Sequence, residues 1–289
     1  MILKFKRNSF VTVVTLTLPL AFVTAAHADV VITDGVGTSA NIDDAGYFSD
    51  VGPIGYSFLG REFINNGTGS SNYWLNANGA SVAIADEVTG SNPFGASVIA
   101  SSTSVVVLGN LGSGGGWTFL ETVSIPAPGV VAFQIQLTNN TGATAHDVQW
   151  GFGFDPNPGV PVNVGSGTFN TINATGSESS VSATSLDGWS IFLHNTTGAS
   201  AFSITPYIDL SACCNPVDPA VILAAAQGVG HYGFANNSIN LAYELGTIHN
   251  FETVTFSYAV SPIPEPEIYM MLLTGFGLIG FSARRHINT

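Results

Sequence analysis

Between Val30 and Val260 the sequence breaks into runs of strand length separated by Gly, Pro and Asn turns, and one stretch of nine residues, Pro219 to Gln227, reads as helix. Val30 to Thr33, Ser97 to Leu108, Trp117 to Ile125, Val130 to Thr138, Asp147 to Phe154, Ser190 to His194, Ala201 to Tyr207 and Thr253 to Val260 have the β-branched and aromatic content of strands. Many short strands and almost no helix predict an all-β fold, an antiparallel β-sandwich or jelly roll, over residues 29–261 as a single domain. Pro126 to Gly129 and Asn139 to Gly142 are turn sequences, so Trp117 to Phe154 reads as a three-stranded meander. Within it Phe133, Ile135 and Leu137 alternate with Gln134, Gln136 and Thr138, which predicts a half-buried strand whose glutamines face solvent or a ligand.

Both ends differ in kind from this body. Lys4, Lys6 and Arg7 precede an uncharged stretch from Asn8 to Ala26, and Ala26-His27-Ala28 supplies small residues at a cleavage site. Residues 1–28 therefore read as a signal peptide cut after Ala28, and the chain as exported through the inner membrane. Residues 262–289 join Pro264-Glu265-Pro266 to an apolar run, Ile268 to Phe281, and then to Arg284 and Arg285. The run is short for a permanent span and would lie in the membrane transiently, with the arginines held on the cytoplasmic side. This ordered tail resembles the PEP-CTERM sorting signal of Gram-negative bacteria. The resemblance implies an exosortase as partner, cleavage near the triplet with loss of the transmembrane helix, and release to the cell surface or the extracellular polysaccharide matrix. Val130 to Asn157 also resembles the Asn-Thr-Gly hairpin and Asp-Pro turn of bacterial surface β-sandwich domains.

Charge narrows the partners further. Arg61 is the only Lys or Arg between residues 29 and 263, against seventeen acids, which gives a net charge near −16. Nucleic acid is excluded as a partner, because phosphate contacts need Lys and Arg. A divalent cation is more compatible, and Asn41 to Gly46 with Asp43, Asp44 and nearby Asp50 gathers hard oxygen donors that would suit calcium. Asx turns and caps are the stronger reading of the same residues.

No sequence pattern announces a catalytic centre. There is no G-x-S-x-G elbow, HExxH or Cys-x-x-Cys, and the G-x-G-x-x-G match at Gly228 to Gly233 is followed by loop-like residues rather than a helix. His146, His194, His231 and His249 are the body histidines and read as strand-end or turn residues. Cys213 and Cys214 are adjacent, which leaves a disulfide to each other, a bridge between chains, or two thiols, the first being preferred. Tyr73, Trp74, Trp117, Trp150 and Trp189 could stack on sugar rings, although most tryptophans of a sandwich lie in the core.

These observations lead to an exported structural or interaction protein of the surface or matrix, without catalytic residues or a cofactor beyond the calcium considered above. The alternatives are a glycan-binding module of the exopolysaccharide matrix and a secreted polysaccharide hydrolase with a carboxylate pair drawn from Asp147, Asp155, Glu178 and Asp187.

Overall fold

The computed structural model describes residues 29–49, 55–64, 71–86, 92, 97–111, 115–158, 167–198, 202–225 and 227–263. The cleavage residues Ala26 and Ala28, Asp50, and the tail residues Pro264, Glu265, Pro266, Arg284 and Arg285 lie outside them. Among the described residues no helix is long and apolar enough to cross a membrane.

The strands are β1 (Val30–Thr33), β2 (Thr38–Ile42), β3 (Tyr56–Phe58), β4 (Arg61–Ile64), β5 (Asn72–Ala77), β6 (Ala80–Asp86), β7 (Ser97–Ala100), β8 (Ser104–Leu111), β9 (Trp117–Ala127), β10 (Val130–Asn139), β11 (Ala145–Phe154), β12 (Thr168–Ala174), β13 (Ser180–Thr184), β14 (Ser190–Asn195), β15 (Ser203–Ile208), β16 (Gly230–Ala235), β17 (Ile239–Ile248) and β18 (Thr253–Ile263). A 3-10 turn covers Gly176–Glu178, and one α-helix, α1, covers Pro219–Ala224. The all-β expectation holds in its layered form: a nine-stranded sheet (β16-β12-β13-β14-β18-β10-β9-β8-β7) faces a five-stranded sheet (β15-β17-β11-β5-β6), and β1 to β4 form a third. Every strand pair is antiparallel.

Aromatic rings fill the space between the two larger sheets. Phe152 on β11 stacks on Tyr258 of β18 at 4.4 Å between centroids and lies 5.4 Å from Phe133 of β10. Trp150 stacks on Tyr73 and Phe119, and Phe256 meets Tyr243 at 5.0 Å. All of these side chains are buried, so the sheets are held by a large apolar area that needs no ion pairs.

Three expectations are corrected here. The meander ends after two strands: β9 and β10 pair, but the chain from Asn139 to Ala145 crosses between layers and β11 joins the five-stranded sheet. The Asn139 amide donates to the carbonyls of Ala143 and Ile248, which fixes that crossing with side-chain bonds a turn signature does not reveal. Ser97 to Leu108 is two strands, β7 and β8, folded back at Ser101 to Thr103. The last strand runs three residues beyond the predicted Val260, to Ile263, because Ile191 and Ser190 of β14 pair with Pro262 and Ile263.

Alternation along β10 follows the prediction: Val131, Phe133, Ile135 and Leu137 are buried between the sheets, while Gln134 is exposed on the outer face of the nine-stranded sheet. That outer face carries the polar half of each strand and is the surface on which the site is built.

Candidate functional site

The residues singled out from sequence fall in several places, most of them away from solvent. Tyr73, Trp117 and Trp150 are at most 2 % exposed and belong to the core, so they are not a sugar platform. Packing between two sheets is a better use of their area than the surface. Trp74, on β5, and Trp189 are half-buried; Trp189 packs edge-on against Phe63 and beneath Arg61, whose guanidinium carbon lies 5.0 Å above the ring centre.

The Asn41 to Ser49 loop uses its acids as turn formers. Asp43 Oδ1 accepts from the Ala45 amide at 2.6 Å, and Asp44 Oδ1 accepts from the Asn92 amide nitrogen at 2.6 Å. Burial, followed by the Asp44 neighbour, pushes the Asp43 carboxyl up to about 7.

Cys213 and Cys214 are bonded to each other, and Cys214 Sγ lies 4.0 Å from Asp155 Oδ2. The two sulfurs and this carboxylate form a three-atom cluster, but oxidised sulfurs are poor metal donors. Burial pushes Asp155 up to about 7, against a weaker opposing bond from Asn157.

The carboxylates considered for hydrolysis stand in different settings. Asp147 and Asp155 sit beside opposite ends of β11, eight residues and therefore about 26 Å apart. Asp187 accepts from Arg61 and Ser185; burial raises its carboxyl, but these bonds outweigh that and hold it below the usual range. Glu178 lies in the exposed 3-10 turn.

A different set of residues does converge, on the outer face of the nine-stranded sheet. Strand register places His194 (β14), Ala259 (β18), Ala132 (β10) and Ser124 (β9) side by side across four strands. The next row on the same face holds Ser257, Gln134 and Thr122. Around Ala132 the face dips into a depression of about 260 Å³, lined by Thr122, Ser124, Ala132, Phe133, Gln134, Thr196 and Ser257. The hydroxyls are locally organised: Thr196 Oγ1 donates to Ser257 Oγ at 2.9 Å, and Thr197 Oγ1 donates to the Ser257 carbonyl at 3.1 Å.

His194 lies in the same row as Ala132, two strands away, with buried Ala259 between them. Burial lowers the pKa of its imidazole, so the ring is neutral at pH 7 and offers one donor and one acceptor. The site therefore presents hydroxyl, amide and neutral imidazole groups and no formal charge, which is chemistry suited to hydroxyl-rich neutral ligands. Sequence reasoning noted Gln134 as facing solvent or a ligand but missed its companions. Only the pairing of β14, β18, β10 and β9 puts His194, Ala259, Ala132 and Ser124 in one row.

Neither a known family nor a curated protein matches this sequence. In fold the chain is similar to a protein described as an aldose 1-epimerase from Escherichia coli K12, with a TM-score of 0.50, 10% identity, and coverage of 82% of this chain and 99% of that one. A GalM/aldose epimerase homologue from C. elegans aligns with a TM-score of 0.44 and 8% identity over 83% of this chain and 100% of that one. A heparan sulfate lyase HepC mutant from Pedobacter heparinus aligns at 0.38 and 12% identity over 78% of this chain but 29% of its own length.

The expectation of a body without a catalytic role is corrected by the first of these. The architecture that sequence reasoning assigned to a scaffold is also that of a protein described as an aldose 1-epimerase, so missing hydrolase motifs do not define the chain as inert.

Proposed function

We propose that this chain is an exported carbohydrate-handling protein whose site is the depression around Ala132. The observation that carries this reading is the concentration of Thr122, Ser124, Gln134, Thr196 and Ser257 around Ala132 on one face of the sheet, with neutral His194 in the same row two strands away. Sugar hydroxyls are matched by such uncharged donors and acceptors, and a fold shared with an aldose 1-epimerase-like protein agrees with that chemistry. The test is titration of the body, residues 29–263, with a panel of neutral sugars, followed by amide chemical shifts. Ala132→Trp fills the depression and removes binding while the melting temperature stays near that of the parent; binding unchanged in this variant places the ligand elsewhere.

A second reading, proton transfer at the anomeric hydroxyl, is favoured by His194. A neutral imidazole can accept that proton, which a charged one could not, while the ring oxygen takes a proton from water as its bond to the anomeric carbon breaks; the ring then recloses on the other face and both protons return. Its measure is the rate at which α and β anomers of a bound sugar interconvert, with His194→Gln expected to return the rate to that of buffer.

Delivery rests on the two ends of the sequence. The Ala26-His27-Ala28 site and the order Pro264-Glu265-Pro266, apolar run, Arg284-Arg285 support export and sorting to the surface or matrix polysaccharide. Intact mass of protein recovered from its host's surface checks this: a chain starting at Asp29 and ending near Pro266 is expected, and one still ending at Thr289 in the membrane fraction would remove the sorting step.

A further inference from the structure

The outer face does not stop at the depression. Three strands away, at the edge of the same sheet, Phe169 of β12 stands directly opposite Phe234 of β16, with ring centroids 4.8 Å apart. Their exposures are 46% and 45%, so nearly half of each ring is in water. Cross-strand aromatic pairs usually stabilise a sheet by shielding one another. Here both rings also remain partly in water, and Phe234 lies so close to Gly167 that a Cβ there would sit 2.7 Å from the ring. Glycine at that position leaves room for the ring, which any larger side chain would displace.

Register connects this pair to His194 through polar groups on the same face. Phe169 is opposite Thr184, which is opposite Ser190, and their hydroxyls share a 2.7 Å hydrogen bond. The adjoining row holds Thr171, Ser182 and Phe192, and Thr171 Oγ1 bonds His231 Nδ1 at 2.8 Å. From His194 the pair is four residues along the strand and two or three strands across, about 16 to 19 Å. That distance exceeds the length of a single sugar ring.

Charge restricts what could lie along this path. The body's single Lys or Arg, Arg61, is buried, bonded to Asp187 and the Pro158 carbonyl, and stacked on Trp189. An anionic polymer would find no Lys or Arg of the body to meet its sulfates or carboxylates.

We infer that the outer face is a track for an extended neutral glycan, with the depression around Ala132 as one subsite and the Phe169/Phe234 pair as a second, stacking subsite. This rests on the carbohydrate reading above and adds to it the polymeric, uncharged character of the ligand. The two phenyl faces cover the apolar faces of a sugar ring, while Thr171, Thr184 and Ser190 meet hydroxyls between the subsites.

The experiment is calorimetric titration of the protein with neutral gluco-, manno- and galacto-oligosaccharides of increasing length, beside sulfated chains of equal length. Affinity should rise about ten-fold between monosaccharide and longer chains of the preferred series, the order expected for one added stacking contact. The double variant Phe169→Ala/Phe234→Ala should lose that gain and keep monosaccharide binding, whereas Phe169→Tyr/Phe234→Tyr, which retains both rings, should keep both. Affinity independent of length, or a sulfated chain binding more tightly than its neutral counterpart, overturns the track and leaves the depression standing. Absence of binding to every sugar, monosaccharides included, removes the carbohydrate reading itself. Self-association that disappears in the double alanine variant would assign the rings to a contact between copies and also overturn the proposal.

Discussion

The carboxyl of Glu121 fills the volume that a side chain at Gly46 would need. Glu121 points inward from β9, is fully buried, and neither of its oxygens has a hydrogen-bond partner among the described residues. Burial alone pushes its pKa well above the carboxylate range, so it is carried as a neutral acid among Tyr73, Tyr258 and the Asn41 to Ser49 loop. The loop can pass over it only because Gly46 has no Cβ and takes φ +97°.

Gly46→Ala should therefore destabilise the fold by about 1–3 kcal/mol, from overpacking together with an unfavourable backbone angle. Urea unfolding at pH 7 measures it. A loss that disappears when Glu121→Ala is added would attribute the cost to this pair; a neutral Gly46→Ala would refute the packing.

The same buried acids set the pH dependence. Asp155 is raised from 3.8 to about 7, and Asp43 and Glu121 are also raised, mainly by burial. In each case the folded state holds a proton that the unfolded state has released, so stability is complete below about pH 4 and declines as pH rises toward 7. Asp34 and Asp187, whose bonds to the protein lower their pKa despite burial, act oppositely and lose their contribution only below the usual carboxylate range. Melting temperature should thus be higher at pH 4.5 than at pH 7.5, and Asp155→Asn should raise it at pH 7.5 and flatten the slope. A melting temperature that rises with pH across this interval would contradict the assignment.

Arg61 closes a contact between distant segments: it donates to the Pro158 carbonyl and Asp187 and covers Trp189. Arg61→Ala should cost about 1–3 kcal/mol, because a half-buried carboxylate and a carbonyl lose their donor. Arg61→Lys should recover only part of this, since an ammonium cannot reproduce the planar fork and the stacking. Full recovery by lysine would show that charge alone matters.

The Cys213–Cys214 bond closes a loop between adjacent residues, so it removes little freedom from the unfolded chain. Reduction, or the double change Cys213→Ser/Cys214→Ser, should lower stability by roughly 1 kcal/mol. A drop several times larger in calorimetry would mean that the disulfide holds more than its own turn.

Several strands were legible because their chemistry is local. β10 could be read from the alternation of Phe133, Ile135 and Leu137 with polar residues, and β9, β14 and β18 from their apolar content. β2, β12, β13 and β16 were not, since Thr38–Ile42, Thr168–Ala174, Ser180–Thr184 and Gly230–Ala235 are rich in Ser, Thr, Asn or Gly and become strands through neighbours rather than propensity. The site suffered from the same blindness. Its hydroxyls and alanines are ordinary residues until pairing gives them a common row, and the aromatic pair was hidden in unrecognised strands. The conspicuous Trp117 and Trp150 went to the core, where a large ring gains most by leaving water.

The sequence by itself determined the all-β class, the anionic body with one cation, and the special character of both ends, because composition, periodicity and terminal order are properties of the chain. Tertiary structure decided that β11 leaves β10 for the opposite sheet, that Glu121 is sealed beneath Gly46, and that His194, Gln134, Ser257, Phe169 and Phe234 share one face. The reason is that strand pairing brings together residues as far apart in sequence as Val131 and Val260, and its register, fixed by which side chains must be buried, alone determines which of them become neighbours.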